Sequence, residues 1–588
     1  MLRRWVLAAT FAASATLAAT QSARPGQPSF RTLNDRFAPP AVDSLDAWKG
    51  RAAYLREHVL ASAGLLPMPE KTPLRAAIDG EVRHGDYAVS KVFFESLPGF
   101  FVTGNLYRPA GGGPFPAVLS PHGHWTYGRF ENTDLVSGPG RAINLARQGM
   151  VVFTYDMIGY GDSRQLTHAF GGRRESLWGL SLAGLQLWNS IRALDFLDTL
   201  PYVRHDGYGA TGESGGGTQT FLLAAVDDRV AVAAPVNMIS LHMQGGCLCE
   251  NPPGLRLDTT NVEIAATIAP RPLLMVSATG DWTAETLEAE YPAIRRIYDL
   301  FGAASRVKAV RVDAPHNYNR ESREAMYAWM AQWLQHAPAD VKIAERSFHP
   351  DPLPALMVFY GRPMPAGALT ASELTDAWIA AAKAQLASMP ASTSAAALRH
   401  ALGFGDLTLG TPRPAAPVAD RTVLLASANP DPDLGHALRR AGFIVRPVRL
   451  TAFDADLAAK VAHFETYNRT AASQHVADIV SAVRQAPGAA VVADGDAALA
   501  ALLAAAVVPI RRAILDVDRF DDTNDGAFLA RLYIPGLRRA GDLQTAAGLA
   551  GAGVILHNAG DRFTLTGVRV ERRRLEPGEI VDALVRLR

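Results

Sequence analysis

The sequence predicts an α/β protein made of two successive, mainly parallel sheets flanked by helices. Three observations point there. From about residue 116 onward, short apolar segments alternate with helical patterns, which is how βαβ units read in sequence. Several of those segments, such as 150–155, are unbroken apolar runs of the kind buried on both faces of a parallel sheet. The chain has 588 residues, and single cores stop growing beyond about 250–300 residues, so the alternation must be shared between domains.

In order, the pattern gives β-rich segments at 89–94 and 101–106, a strand at 116–120, a helix at 142–148 and a buried strand at 150–155. A long helix follows at 182–200, where Leu185, Trp188, Ile191, Leu194, Phe196 and Leu197 make a wide apolar stripe at helical spacing. Strand 207–211 runs straight into Gly212-Glu213-Ser214-Gly215-Gly216-Gly217 and a helix through Ala225. Further strands are expected at 230–234, 272–277 and 307–313, with a closing helix at 320–334. Between 346 and 420 periodicity weakens around one helix at 371–387, and the stretch ends in Thr411-Pro412-Arg413-Pro414-Ala415-Ala416-Pro417; it reads as a semi-rigid connector. Alternation then resumes, with strands at 422–426, 443–448, 489–493 and 553–557 and helices at 433–441, 470–485 and 498–505. The expected organisation is a leader at 1–23, a catalytic domain at 30–345, a connector at 346–420 and a second α/β domain at 421–588.

Composition narrows the function. Lys+Arg 58 against Asp+Glu 57 leaves a net charge of +1, so no global field draws the chain to nucleic acid or to an anionic membrane. Hydrophobic residues at 48% and charged residues at 20% set disorder aside. Two cysteines exclude a disulfide framework and any four-thiolate metal site. Arg3 and Arg4 precede an apolar run from Trp5 to Ala19 that ends in small residues, which is the grammar of a cleaved export signal. A periplasmic or extracellular protein is expected, with no integral membrane segment after cleavage.

Gly212-Glu213-Ser214-Gly215-Gly216 matches the G-x-S-x-G nucleophile elbow, with a strand before it and a helix after it. A serine hydroxyl must stand clear of the sheet on a sharp turn, and flanking glycines permit the close approaches this forces. The acid and the base should follow in chain order, each just past a later strand. Asp281 follows the apolar run 273–277 and His316 follows 310–313. His316 would take the proton of Ser214 and return it to the leaving alcohol, while Asp281 orients the imidazole; Glu285 and Asp313 compete as the acid. Gly215 N–H and the N–H of His124, in Pro121-His122-Gly123-His124-Trp125, are the expected oxyanion donors, with Trp125 as the alternative to His124. Trp125, Glu213, Arg256 and Trp282, with Arg173 and Arg174, are candidates for contacting a polar substrate. His242, Cys247, Cys249 and Glu250 crowd one segment; a local disulfide or two buried thiols is favoured there over zinc, so no metal or organic cofactor is expected.

Six segments together carry a resemblance: Ser-Pro-His-Gly-His-Trp at 120–125, Leu-Trp-Gly-Leu-Ser at 177–181, the elbow, the segment around Cys247-Leu248-Cys249-Glu250-Asn251, Ala-Pro-Arg-Pro-Leu at 269–273, and Ala-Pro-His-Asn-Tyr at 314–318. Over about 85–340 the chain resembles exported bacterial α/β-hydrolases of the acetyl xylan esterase-like kind. The resemblance implies the α/β-hydrolase fold and a serine esterase that removes acyl or methyl esters from plant-type polysaccharides. A secreted serine peptidase and a non-catalytic glycan-binding protein are the alternatives. The second domain reads as a degenerate copy, with an unrelated Rossmann-like domain as the alternative: Asp494-Gly495-Asp496 stands at the elbow position without a serine, Asn558-Ala559-Gly560-Asp561 parallels Ala278-Thr279-Gly280-Asp281, and no histidine follows.

Overall fold

The computed structural model describes residues 30–405, 421–550 and 553–587, so the expected leader and the Pro-rich run 411–417 lie outside the described residues. The first sheet has nine strands: β1 (Ala77–Arg83), β2 (Tyr87–Leu97), β3 (Phe100–Pro109), β4 (Ala117–Leu119), β5 (Val151–Tyr155), β6 (Tyr208–Glu213), β7 (Val230–Val236), β8 (Leu273–Gly280) and β9 (Val307–Pro315). Their order is β1-β2-β3-β5-β4-β6-β7-β8-β9. β1 to β3 form an antiparallel meander, β3 meets β5 antiparallel, and every pairing from β5 to β9 is parallel. The chain leaves β4 for β5 on one side and later returns to β6 on the other. That reversal opens a crevice beyond the carboxyl ends of β4 and β6, where open α/β sheets hold their sites.

The helix Leu182–Asp198 is buried almost all round, because it is clamped between the sheet and its neighbours rather than facing water. Its Trp188 packs fully inside and donates Nε1–H to the Ser96 carbonyl at 2.8 Å. On the other face, the helices Gly138–Arg147 and Arg320–Leu334 close a second apolar layer around Ile143, Leu145, Met326, Met330 and Leu334.

The second sheet has six strands: β10 (Thr422–Ala426), β11 (Ile444–Pro447), β12 (Ala490–Asp494), β13 (Ala513–Asp516), β14 (Val554–His557) and β15 (Arg569–Val570). All pairings are parallel and the order is β11-β10-β12-β13-β14-β15. Counted from its first strand, this is the order of β5-β4-β6-β7-β8-β9. Doubly wound sheets share it generally, so the order alone does not make the two domains copies. β12 passes directly through Gly495, at φ 56, into the helix Gly495–Ala504, and β14 passes into Asn558, also at φ 56. Asp494, one residue before that turn, accepts a bond from Ser427 Oγ at 2.8 Å.

Residues 346–405 of the expected connector are instead largely packed structure. Leu356 O accepts from Asn105 Nδ2 at 2.9 Å, Val358 N and Phe359 N donate to the Asp162 carboxylate at 2.8 and 3.0 Å, and Leu369 N donates to Gly99 O at 2.9 Å. The helix Ala371–Ser388 then buries Leu374, Trp378, Ile379 and Ala382 in the first core, and the helix Ala391–Ala401 buries Ala397 and Leu398 in the second. An amino-terminal helix, Leu45–Ser62, joins the same junction through His58 Nδ1, 3.1 Å from His400 Nδ1. No described helix is long and apolar enough to cross a membrane.

Candidate active site

β6 ends at Glu213 and the helix Gly215–Val226 begins two residues later, leaving Ser214 to make the turn alone. It does so at φ 56 and ψ −123, a left-handed conformation that costs a non-glycine residue about 1–3 kcal/mol and makes no bond to cap its own helix. The glycines around it are required sterically. A Cβ on Gly212 would lie 2.5 Å from Pro121 O, and one on Gly216 would lie 2.6 Å from the same oxygen.

β8 and β9 deliver the other two residues. His316 Nδ1 is 2.7 Å from Asp281 Oδ2, and Asp281 Oδ1 accepts from Thr283 N at 2.7 Å and Thr283 Oγ1 at 2.5 Å. The Asp281 side chain is 2% exposed and that of His316 is 25% exposed, so the carboxylate is sealed while the imidazole faces the crevice. The competing acids are engaged elsewhere: Glu285 pairs with Arg36, and Asp313 accepts from Thr279 Oγ1 at 2.7 Å. Among the described residues Ser214 Oγ makes no hydrogen bond, which is common for a catalytic contact before substrate tightens it.

Two N–H groups near the turn are without a backbone partner among the described residues. Gly215 N begins a helix, and His124 N lies in the loop after β4; among the described residues no hydrogen bond uses either. The alternative donor, Trp125 N–H, is spent on Gly123 O at 2.9 Å. The His124 ring lies against the elbow itself: a Cβ on Gly215 would come 2.6 Å from its Cε1.

The expected substrate contacts divide. Trp125 and Trp282 are beside His316, with ring centroids 6.1 and 4.6 Å from that of its imidazole. Glu213 is corrected: it is 1% exposed, pairs with Arg141 Nη1 at 2.7 Å, and accepts from Gly123 N at 3.1 Å and Trp125 Nε1 at 3.0 Å. Its work is to hold the His-Gly-His-Trp loop against β6. Arg256 is corrected too: fully buried, it bonds Asn261 Oδ1, Glu250 O and Asn251 Oδ1, and bridges to the second domain over the Tyr467 ring. Arg173 and Arg174 likewise face the second domain, over Tyr533 and beside Asp525.

The cysteine segment folds back onto the same crevice. Cys247 and Cys249 are free thiols. The adjoining Cys249 thiol draws that of Cys247 well below its ordinary range, while burial pushes Cys249 up. Glu250 Oε2 accepts from Gly246 N at 2.8 Å and Cys247 N at 3.0 Å, and His242 is occupied with Ser240 Oγ at 3.4 Å, so neither joins a ligand set. Sequence reasoning missed His168, which stands with His124, Cys247 and Cys249 such that one donor atom from each lies within 4.8 Å of all the others.

No family model matches the chain. It is 27% identical over 256 residues to YtaP of Bacillus subtilis (strain 168), described provisionally as a hydrolase, a match spanning 41% of this chain and 84% of that one. Among solved structures, methylesterase BT1017 is 32% identical, covering 50% of this chain at a TM-score of 0.45; the match spans 65% of that protein, just under two thirds. A CE15 glucuronoyl esterase from Caldicellulosiruptor kristjansonii is 17% identical at a TM-score of 0.36, covering 56% of this chain and 97% of that one. The strand order, with the turn at Ser214 directly after β6, is that of the α/β-hydrolase fold.

Proposed function

We propose that the first domain is a serine esterase that cleaves acyl or methyl esters on plant-type polysaccharides, and that the chain is exported to act on them. The observation that carries this is the sealed Asp281–His316 bond at 2.7 Å, together with a serine held at φ 56 on the turn after β6. Asp281 accepts from His316 Nδ1–H, which leaves Nε2 with its lone pair. Nε2 takes the Ser214 proton as Oγ attacks the ester carbonyl, and the N–H groups of Gly215 and His124 receive the developing oxyanion. Collapse expels the sugar hydroxyl, or methanol, with the proton from His316. Water then enters, gives a proton to His316 and attacks the acyl carbon; as the acyl–Oγ bond breaks His316 returns the proton to Ser214 and the acid leaves.

Polysaccharide specificity rests on the motif resemblance and on the flat faces of Trp125 and Trp282 beside the base. Aromatic faces pack well against the C–H face of a sugar ring. The ester chemistry in the names of the similar proteins is carried over as part of the same proposal. A fluorophosphonate probe tests the nucleophile: intact-mass and peptide analysis should find one adduct, on the peptide bearing Ser214, and none in Ser214→Ala. An adduct on a different residue, or none on the folded protein, would overturn the assignment. Export is read from the mature amino terminus of periplasmic protein, expected near residues 18–23.

A further inference from the structure

We propose that His124, His168, Cys247 and Cys249 form a tetrahedral zinc site that ties together three loops around the nucleophile. The four residues come from separate places: His124 from the loop after β4, His168 from the loop after β5, and the two cysteines from the long loop after β7. Their donor atoms nevertheless gather within 4.8 Å of one another, with His124 Nε2 and Cys249 Sγ at 3.1 Å. Zinc–sulfur bonds of about 2.3 Å and zinc–nitrogen bonds of about 2.0 Å at tetrahedral angles put ligand atoms about 3.3–3.8 Å apart. The cluster therefore needs only small side-chain shifts to close on an ion.

His168 supplies the second, independent observation. Its Nδ1 meets the Ile158 carbonyl at 2.6 Å, which fixes the proton on Nδ1 and turns the Nε2 lone pair inward. Nε2 is buried and forms no hydrogen bond. A carbonyl-bound Nδ1 behind a free Nε2 is how metal-bound histidines are oriented. The walls suit such a site. Cys249 is 2% exposed, the Tyr160 ring packs edge-on to both imidazoles with centroids 6.3 and 4.9 Å away, and Glu250 grips the backbone of the cysteine loop. Two thiolates and two imidazoles are a soft tetrahedral set of the zinc type. On binding, each thiol still protonated gives its proton to solvent, and two thiolates neutralise one Zn²⁺.

The consequence for catalysis rests on the esterase reading. His124 would be held by its side chain on zinc while its N–H points at the oxyanion, so the ion would act as a positioning group without touching substrate. All four donors are committed, which leaves no open position for substrate or water.

The test uses the full-length protein purified without chelator. Elemental analysis should give one zinc per chain. Replacement by cobalt should give intense visible bands of a tetrahedral site together with a thiolate-to-cobalt charge-transfer band, and both features should vanish in His168→Ala and in Cys249→Ser. Wild-type protein stripped by a chelator guards against a misfolded variant: both thiols should become titratable and be masked again when zinc returns. Three results would overturn the site: an intact mass two hydrogens low from a Cys247–Cys249 disulfide, zinc retained at full stoichiometry in both variants, or no zinc with both thiols free. Zinc bound to a protein inert on every ester would leave this site standing and remove the esterase; ester hydrolysis by zinc-free wild type as purified would do the reverse.

Discussion

Replacing Asp281 with asparagine should disable the base by a route that the local hydrogen bonds dictate. Thr283 N–H points at Asp281 Oδ1 from 2.7 Å and can only donate, so the amide oxygen of an asparagine must take that position. Its NH₂ then lies where Oδ2 now faces His316 Nδ1 at 2.7 Å. An NH₂ group cannot accept a proton donor, so Nδ1 must offer its lone pair and the imidazole proton moves to Nε2. That is the nitrogen required to receive the Ser214 proton. For triads of this type the wrong tautomer costs about 10⁴ in kcat, or about 5.4 kcal/mol of barrier. Thr283→Val keeps the N–H and removes only the hydroxyl donor, a charge-assisted bond worth about 1.5–3 kcal/mol, so its loss in kcat should stay below about 200-fold. The assay is kcat on p-nitrophenyl acetate for the two variants against wild type. A drop of less than tenfold for Asp281→Asn would refute the reasoning, because the tautomer would not then depend on this carboxylate.

Three further outcomes follow. Glu213→Ala strands the buried Arg141 guanidinium and frees Gly123 N–H, and removing one partner of such a pair costs about 3–5 kcal/mol; a clear fall in the urea midpoint together with reduced kcat is expected, and unchanged stability would contradict the ion-pair account. Burial holds His58 near pKa 4, below its ordinary value of 6.5, with Asp258, His400 and Arg51 around it. The unfolded chain therefore binds the proton first, and stability intact above about pH 6.5 should be lost as pH falls toward 4, by up to about 3 kcal/mol; urea midpoints across that range should show a shallower decline in His58→Leu. Truncation after residue 345 removes the N–H donors of Val358 and Phe359 from Asp162 and exposes the groove that takes Trp378. Such a chain should express as insoluble or thermally weakened protein, whereas a soluble chain of wild-type stability would show that 346–405 is dispensable.

What could be read in the sequence was whatever a strand end announces. Ser214, Asp281 and His316 each follow an apolar run, and its place just beyond the strand 273–277 preferred Asp281 to Glu285 and Asp313, which the structure finds bonded elsewhere. Helix 320–334 was legible to the residue because its apolar period and the Asn319 cap agree. Glu213 was misread because nothing in the elbow motif reveals its partner, and only the fold shows Arg141 reaching it from the helix Gly138–Arg147. Arg256 was misread for the same reason, since its partners Asn251, Asn261 and Tyr467 reveal themselves only in three dimensions. Residues 346–370 lack periodicity because side chain–backbone bonds hold them, and such bonds leave no pattern. His168 sits in a loop with no motif, so its approach to His124 and to the cysteine segment could not be read in one dimension.

The most direct measurement is ester release by the purified full-length chain, wild type against Ser214→Ala, on p-nitrophenyl acetate and on acetylated and methyl-esterified polysaccharides. The account predicts release of acetate or methanol from at least one polysaccharide by wild type and none above background by the variant. Equal rates for the two proteins, or inertness of both on every ester, would contradict it.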